Sequence, residues 1–108
     1  MKPYLDLLPS PVLVTDVSGH IKEANLDLLA LVGGDTSSWA GRYIDALMPG
    51  SSRIFLQTHV WPMLYREGSV REIHLLLLGN AGQRLPVMVN CDLREGADGP
   101  TYLWVLFV

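Results

Sequence analysis

The sequence predicts an α+β domain built on an antiparallel sheet. Strand patterns lie at both ends of the chain, and helix patterns lie between them. A breaker cluster at residues 79–82 separates two apolar runs, so residues 68–93 are expected to form a long antiparallel hairpin. In the second run every other residue is apolar, which is the period of a strand with one buried face. These residues are Leu85, Val87, Val89, Cys91 and Leu93.

Length and composition indicate one globular domain. The chain has 108 residues, of which 49% are hydrophobic and 18% are charged, and this is enough for a single core. A net charge of −3 and the lack of a basic cluster argue against a nucleic-acid partner. One cysteine excludes an internal disulfide and a cysteine-based zinc site. The sequence contains no signal segment and no apolar run of membrane-spanning length, so a cytoplasmic protein is expected.

The first third of the chain predicts a hairpin followed by a helix. Residues 1–9 are expected to form an N-terminal cap segment. Residues 11–16 and 20–24 are two short strands joined by an Asp-Val-Ser-Gly turn. Asn25 is suited to cap the helix over residues 26–32, because its side chain can accept a backbone hydrogen bond.

The middle of the chain predicts helices, and its end predicts a strand. Residues 42–48 form a short helix, and the longest helix runs over about residues 51–67, with a serine cap. Pro62 lies inside it, so the helix either kinks there or begins a second segment. Residues 101–108 form the last strand. This apolar end suggests either a fragment of a longer protein or a buried terminal strand.

This order of elements, together with several local motifs, resembles a PAS domain over nearly the whole chain. The matching motifs are Val14-Thr15-Asp16 with Gly19 and Asn25, Gly41-Arg42 with Leu47-Met48-Pro49, and Gly82 followed by Leu85-Pro86-Val87-Met88-Val89. Residues 52–62 are similar to a sensory subgroup in bacterial signalling proteins. The resemblance implies a PAS-like five-stranded antiparallel sheet in strand order 2-1-5-4-3, with helices packed on one face around a small cavity. Residues 1–108 would then be a single PAS domain.

The resemblance also implies a function. Such domains are sensory or dimerising modules linked to a histidine kinase, a diguanylate cyclase, a phosphatase or a transcription regulator. A ligand is expected between the long helix and the sheet. The candidate lining residues are Tyr43, Phe55, Thr58, His59, Val87, Val89 and Cys91.

Two alternatives to a ligand-binding sensor remain open. One is a ligand-free dimerisation module, which would have no cavity large enough for a small molecule. The other is a small enzyme of the hot-dog type, whose sheet wraps around one long central helix. The several short helices, Pro62 and the lack of a placed acid or base argue against this enzyme.

No residue pattern identifies a cofactor. Flavin-binding PAS domains carry an Asn-Cys-Arg-Phe-Leu-Gln motif on a helix, whereas Asn90-Cys91 lies on a strand, so the sequence predicts no flavin. His59 invites comparison with the axial histidine of haem-binding PAS domains, but a hydrogen-bonded structural histidine is the expected interpretation. His74 and its acidic neighbours lack the arrangement of a metal site. Trp39 and Trp61 either line a cavity or fill the core.

The face of the sheet turned away from the helices is the candidate dimer interface. In the alternating register it carries Leu76, Leu78, Met88, Trp104 and Leu106, while Leu103, Val105 and Phe107 point inward. A soluble monomer rarely leaves such a patch bare, so we expect a homodimer with two-fold symmetry. The alternative is that the N-terminal segment, with Tyr4, Leu5 and Leu8, covers the patch within one chain.

Overall fold

The computed structural model describes residues 9–108, so the predicted cap segment lies, except for Pro9, outside the described residues. Two strands are followed by a group of helices and then by three longer strands. The strands are β1 (Val12–Asp16), β2 (Ile21–Ala24), β3 (Ser69–Leu78), β4 (Arg84–Gly96) and β5 (Gly99–Phe107). The helices are α1 (Leu26–Val32), α2 (Thr36–Trp39), a 3₁₀ turn (Ile44–Leu47), α3 (Gly50–Phe55), a π-helical turn (Leu56–Val60) and α4 (Trp61–Glu67).

The five strands form one antiparallel sheet in the order β2-β1-β5-β4-β3. The buried residues of the helices and of the inner sheet face make one core cluster. This arrangement confirms the predicted α+β class, the predicted strand order and the packing of the helices on one face.

Local chemistry explains the β1–β2 turn and the position of Pro86 in the β3–β4 hairpin. In the β1–β2 turn, Asp16 Oδ1 accepts hydrogen bonds from the backbone N–H groups of Ser18 and His20, each at 2.9 Å, and Gly19 has a φ of 96°. In the β3–β4 hairpin, Leu76 pairs with Pro86. The β4–β5 ladder extends only from Met88 onward, so Pro86 has no β5 partner that would need its missing N–H.

Asn25 caps α1 as predicted. Its Oδ1 accepts the backbone N–H of Leu28 at 3.1 Å and also that of Val12 at 2.9 Å. Its Nδ2 donates to the Ser10 carbonyl at 2.8 Å, and the residue is fully buried. Asn25 therefore ties the start of the helix to the start of β1 as well as capping the helix.

The long helical path runs from Gly50 to Glu67 and contains a π turn immediately before Pro62. The N–H of Trp61 donates to the carbonyl of Leu56, five residues back. Since the ring of Pro62 would crowd the carbonyl four residues earlier, the wider turn accommodates it. The predicted serine cap is wrong: Pro49 precedes the helix, and Ser52 Oγ instead accepts the N–H of Leu76 on β3 at 3.0 Å. Within residues 9–108, every helix is too short or too polar to cross a membrane.

The predicted register of the last strand is wrong. Tyr102, Trp104 and Leu106 are the buried side of β5, with exposed fractions of 3%, 1% and 3%. Leu103, Val105 and Phe107 lie on the opposite face. The strand is apolar on both sides, so alternation alone does not determine its phase. Pairing determines it instead, because Trp104 lies opposite inward-facing residues of both neighbouring strands.

Candidate functional site

The structure divides the predicted pocket residues into a buried group and an exposed group. Val87, Val89 and Cys91 are buried on the inner face of β4. The other four, Tyr43, Phe55, Thr58 and His59, are exposed. The helix turns Leu56, Val60 and Leu64 toward the sheet, and this directs the intervening side chains to the surface. Among residues 9–108, these seven side chains therefore do not enclose one common pocket.

The interior between the helices and the sheet is nearly filled. An apolar void there leaves about 10 Å³ for a water-sized sphere. It is lined by Leu13, Ile44, Leu47, Met48, Leu75, Leu77, Val89, Trp104 and Leu106. Ligand pockets usually measure roughly 300–1,000 Å³, and a single water needs about 10–15 Å³. This void has no room for a small organic molecule.

The residues that invited a cofactor interpretation have structural partners. Burial raises the pKa of the Cys91 thiol, with a further rise from the charge of Asp92, so Cys91 packs as a neutral, small apolar side chain. His59 lies on the outer surface, stacked on Phe55 with a centroid distance of 4.9 Å and with Nδ1 2.7 Å from Thr58 Oγ1. It does not point into the core. His74 is exposed on the outer sheet face, and no group of metal-binding side chains occurs among residues 9–108.

A surface cleft of about 370 Å³ opens on the helix side of the domain. The first hairpin turn, the 3₁₀ turn and the long helical path each contribute to its walls. It is lined by Ser18, Tyr43, Asp45, Gln57, Trp61 and Tyr65. Of these six residues, Tyr43 belonged to the predicted pocket, and Trp61 was predicted either to line a cavity or to fill the core. The available signal was the spacing of Gln57, Trp61 and Tyr65, which lie four residues apart on one side of a helix.

Aromatic contacts organise this surface cleft. Trp61, which is 9% exposed, stacks on Tyr65 at 5.7 Å and contacts Tyr102 and Trp104 edge-on at 5.6 and 5.5 Å. Gly19 lies close against the indole, because a Cβ at that position would be 2.9 Å from Cζ2 of Trp61. The floor of the cleft is therefore anchored in the core.

The polar part of the surface cleft is a carboxylate held by an amide. Gln57 Nε2 donates to Asp45 Oδ2 at 2.9 Å. Beside the cleft, Tyr43 stacks on His20 with a centroid distance of 4.3 Å. The Nδ1 atom of His20 in turn lies 3.1 Å from Asp16 Oδ2. Tyr43 is thus braced by the first hairpin, although more than half of its surface is exposed.

The second candidate site is the outer sheet face. We define it by the half-buried residues Leu76, Leu78, Met88, Leu103 and Val105 and by Phe107, which is 40% exposed. Three members of the predicted interface, Leu76, Leu78 and Met88, lie on it. Trp104 and Leu106 do not, because the true register of β5 turns them into the core.

Comparison with known proteins gives sequence and structural relatives. No protein-family model matches the chain. A phosphoserine phosphatase of Bacillus subtilis, RsbP, is 24% identical over 106 residues, which is 98% of this chain. The chain spans about a quarter, 26%, of the length of that phosphatase.

Solved structures superpose on nearly the full length of the chain. The PAS domain of a Colwellia psychrerythraea protein superposes with a TM-score of 0.84 at 17% identity, over 97% of this chain and 90% of that one. A PAS domain from a two-component sensor histidine kinase superposes with a TM-score of 0.80 at 6% identity, over 97% of this chain and 89% of that one. With its strand order and one-sided helices, this chain has the PAS fold.

Proposed function

We propose that this chain is a sensory and regulatory module of a cytoplasmic bacterial signalling protein, and that it acts through self-association. The relatives support a role beside an effector domain. One is a phosphatase about four times as long as the matched region, and another belongs to a sensor histidine kinase. Residues 1–108 would form one domain, and its state would control an effector outside it.

The observation that carries this proposal is the continuity of the outer sheet face. Met88 on β4 pairs with Phe107 on β5, and Leu103 on β5 pairs with Val14 on β1. On β3, Leu76 and Leu78 extend the apolar surface toward the edge of the sheet. Partly exposed apolar side chains therefore run across four strands, which is a surface that favours a partner.

A second copy of the chain is the partner of choice for this surface. A two-fold axis brings the same surface onto itself, so an apolar stripe meets an apolar stripe. Such a pair would hold two effector domains side by side. A change in the packing of the pair could then alter their distance or orientation.

The filled interior favours self-association over a ligand held in the core. An internal void of about 10 Å³ is far smaller than a typical ligand pocket, and this supports a ligand-free core. We therefore expect the purified domain to show no flavin or haem absorption, because its core has no space for such a group. A stoichiometric chromophore would contradict a ligand-free core.

The enzyme alternative has less support from the architecture. A hot-dog enzyme wraps its sheet around one long central helix. Here the five strands lie in the order 2-1-5-4-3, and several short helices cover one side. We propose no catalytic role for this domain.

Charge insertion on the two sides of the domain tests self-association. Val105→Arg places a charge on the outer sheet face, whereas Ile54→Arg places it on the helix surface, where Ile54 is 65% exposed. Sedimentation velocity over a range of concentrations should show dimers for the wild type and for Ile54→Arg, and monomers for Val105→Arg. Trp104→Arg is unsuitable, because it would disrupt the core.

Two results would contradict the proposal. One is a wild type that stays monomeric at the highest concentration. The other is a Val105→Arg protein that is folded by circular dichroism and still dimeric, since the interface would then lie elsewhere.

A further inference from the structure

We propose that the surface cleft binds a small organic cation of the quaternary-ammonium class. This binding site goes beyond the self-association proposed above and does not depend on it, because the cleft lies on the helix side of the sheet. Three aromatic side chains and one carboxylate supply the recognition chemistry.

The size of the cleft fits a small molecule. Its volume is about 370 Å³, within the roughly 300–1,000 Å³ of typical small-molecule sites. The interior void measures about 10 Å³. If this domain takes a small ligand on its helix side, the cleft offers the room for it and the core does not.

The aromatic lining suits a cation. Tyr43 and Tyr65 are 55% and 65% exposed, so their ring faces are accessible from solvent. The face of an aromatic ring attracts positive charge. Each is braced by another ring, Tyr43 by His20 and Tyr65 by Trp61. The rings are therefore held in place before a ligand arrives, which lowers the entropy cost of binding.

The charge of the lining selects a cation over an anion. Asp45 is the one charged side chain among the residues that line the cleft. The side-chain amide of Gln57 holds Asp45 Oδ2 in place. The other carboxylate oxygen, Asp45 Oδ1, receives no hydrogen bond from the described residues. A bulky ammonium group matches this set, since it carries one diffuse positive charge and contacts ring faces without needing acceptors for N–H groups.

The helix geometry at the cleft supports a functional role. Gln57 lies in the π turn, and Trp61 is the first residue after that turn. π turns within α-helices occur frequently at functional sites. Gly19 adds a second specific feature, because a larger residue there would collide with the indole that forms the floor.

An uncharged proline-rich peptide is the competing occupant, since such peptides dock on aromatic grooves. The surface cleft differs from an extended groove in having a carboxylate among its rings. We therefore assign it to a compact cation.

The test compares choline with its neutral isostere 3,3-dimethylbutan-1-ol, which replaces the charged nitrogen by carbon. Each is titrated into the 108-residue chain and followed by ¹H–¹⁵N NMR, including the indole N–H of Trp61. Choline should cause saturable shifts around the cleft, and the isostere should bind at least about tenfold more weakly, a difference of about 1.4 kcal/mol. Equal affinities, or no saturable shifts with choline, would overturn the proposal.

Variants locate the site. Asp45→Asn and Tyr65→Leu should each weaken choline binding several-fold, while Asp27→Asn, an exposed carboxylate on α1, should leave it unchanged. Tyr65 is largely exposed, so Tyr65→Leu should fold and can test the binding site even if Asp45→Asn fails to fold. Unchanged affinity in a folded Tyr65→Leu protein would refute the assignment. So would an uncharged polyproline peptide that causes saturable shifts around the cleft under conditions in which choline causes none.

Discussion

The indole Nε1 of Trp104 donates a hydrogen bond of 3.0 Å to Oγ1 of Thr15, and both side chains are buried. The two residues are 89 positions apart and lie on the neighbouring central strands β1 and β5. A buried indole N–H needs an acceptor. This bond is consistent only with Trp104 on the inner face, so it helps to fix the phase of a strand that is apolar on both sides.

Thr15→Val should destabilise the domain, because it keeps the shape of the side chain and removes the acceptor. A buried donor left without a partner costs about 1–3 kcal/mol. Urea unfolding measures the loss. Thr101→Val, a half-buried threonine in the neighbouring pair of the same ladder, is the matched control and should change the unfolding free energy by less than about 0.5 kcal/mol. Equal urea midpoints for Thr15→Val and the wild type would show that the bond contributes nothing.

Asn25→Ala should cost more than an ordinary helix cap. The loss of a cap costs about 1 kcal/mol, and the Val12 N–H, left unpaired in a buried position, adds about 1–3 kcal/mol. Thermal or urea unfolding should therefore show a loss of about 2–4 kcal/mol. Asp35→Ala removes the exposed cap of α2 and should have a clearly smaller effect. If the two variants are equally stable, the second role of Asn25 is wrong.

The ionised carboxyl of Asp16 should stabilise the domain, and this contribution should be lost in acid. Partial burial alone would raise the pKa of Asp16, but hydrogen bonds from His20 and Ser18 outweigh it and hold the pKa below the usual value of 3.8. A carboxyl with a lowered folded-state pKa contributes stability above its unfolded pKa and loses it as the pH falls through the folded value. Stability measured from pH 6 downward should decline near and below pH 3.8.

Asp16→Asn separates this effect from general acid unfolding. The variant should be less stable at neutral pH, and the difference from the wild type should shrink as the pH falls below 3.8. Glu23→Gln, on the neighbouring strand β2, is the control. A gap between Asp16→Asn and the wild type that stays constant with pH would exclude the ionised carboxyl as the cause.

The sequence predicts the fold better than the site because the two depend on different signals. The inward positions of β4 alternate with Pro86, Asn90 and Asp92, so their phase is readable. On the long helix, Phe55 and Leu56 are adjacent and both apolar, and only tertiary packing decides that Leu56 is the buried one. The surface cleft combines side chains from three separated segments, which no local periodicity brings together.

The bulge in β3 offers a stabilising substitution. Glu72 has a φ of 54°, the only positive value among the non-glycine residues described, and its N–H donates to Asn90 Oδ1 at 2.8 Å. The left-handed conformation costs a side-chain-bearing residue about 1–2 kcal/mol. Glycine adopts it freely but loses about 0.5–1 kcal/mol of backbone entropy on folding. Glu72→Gly should therefore raise the unfolding free energy by up to about 1 kcal/mol.

The same substitution two positions along the strand provides the contrast. His74 is exposed on β3 and pairs with Met88 in regular register, with a negative φ. His74→Gly should lower the unfolding free energy by about 0.5–1 kcal/mol, since no strain is relieved there. Urea unfolding should therefore show changes in the unfolding free energy of opposite sign for the two glycine variants. If Glu72→Gly destabilises the domain as much as His74→Gly does, the bulge carries no relievable strain, and contacts of the Glu72 side chain must stabilise it instead.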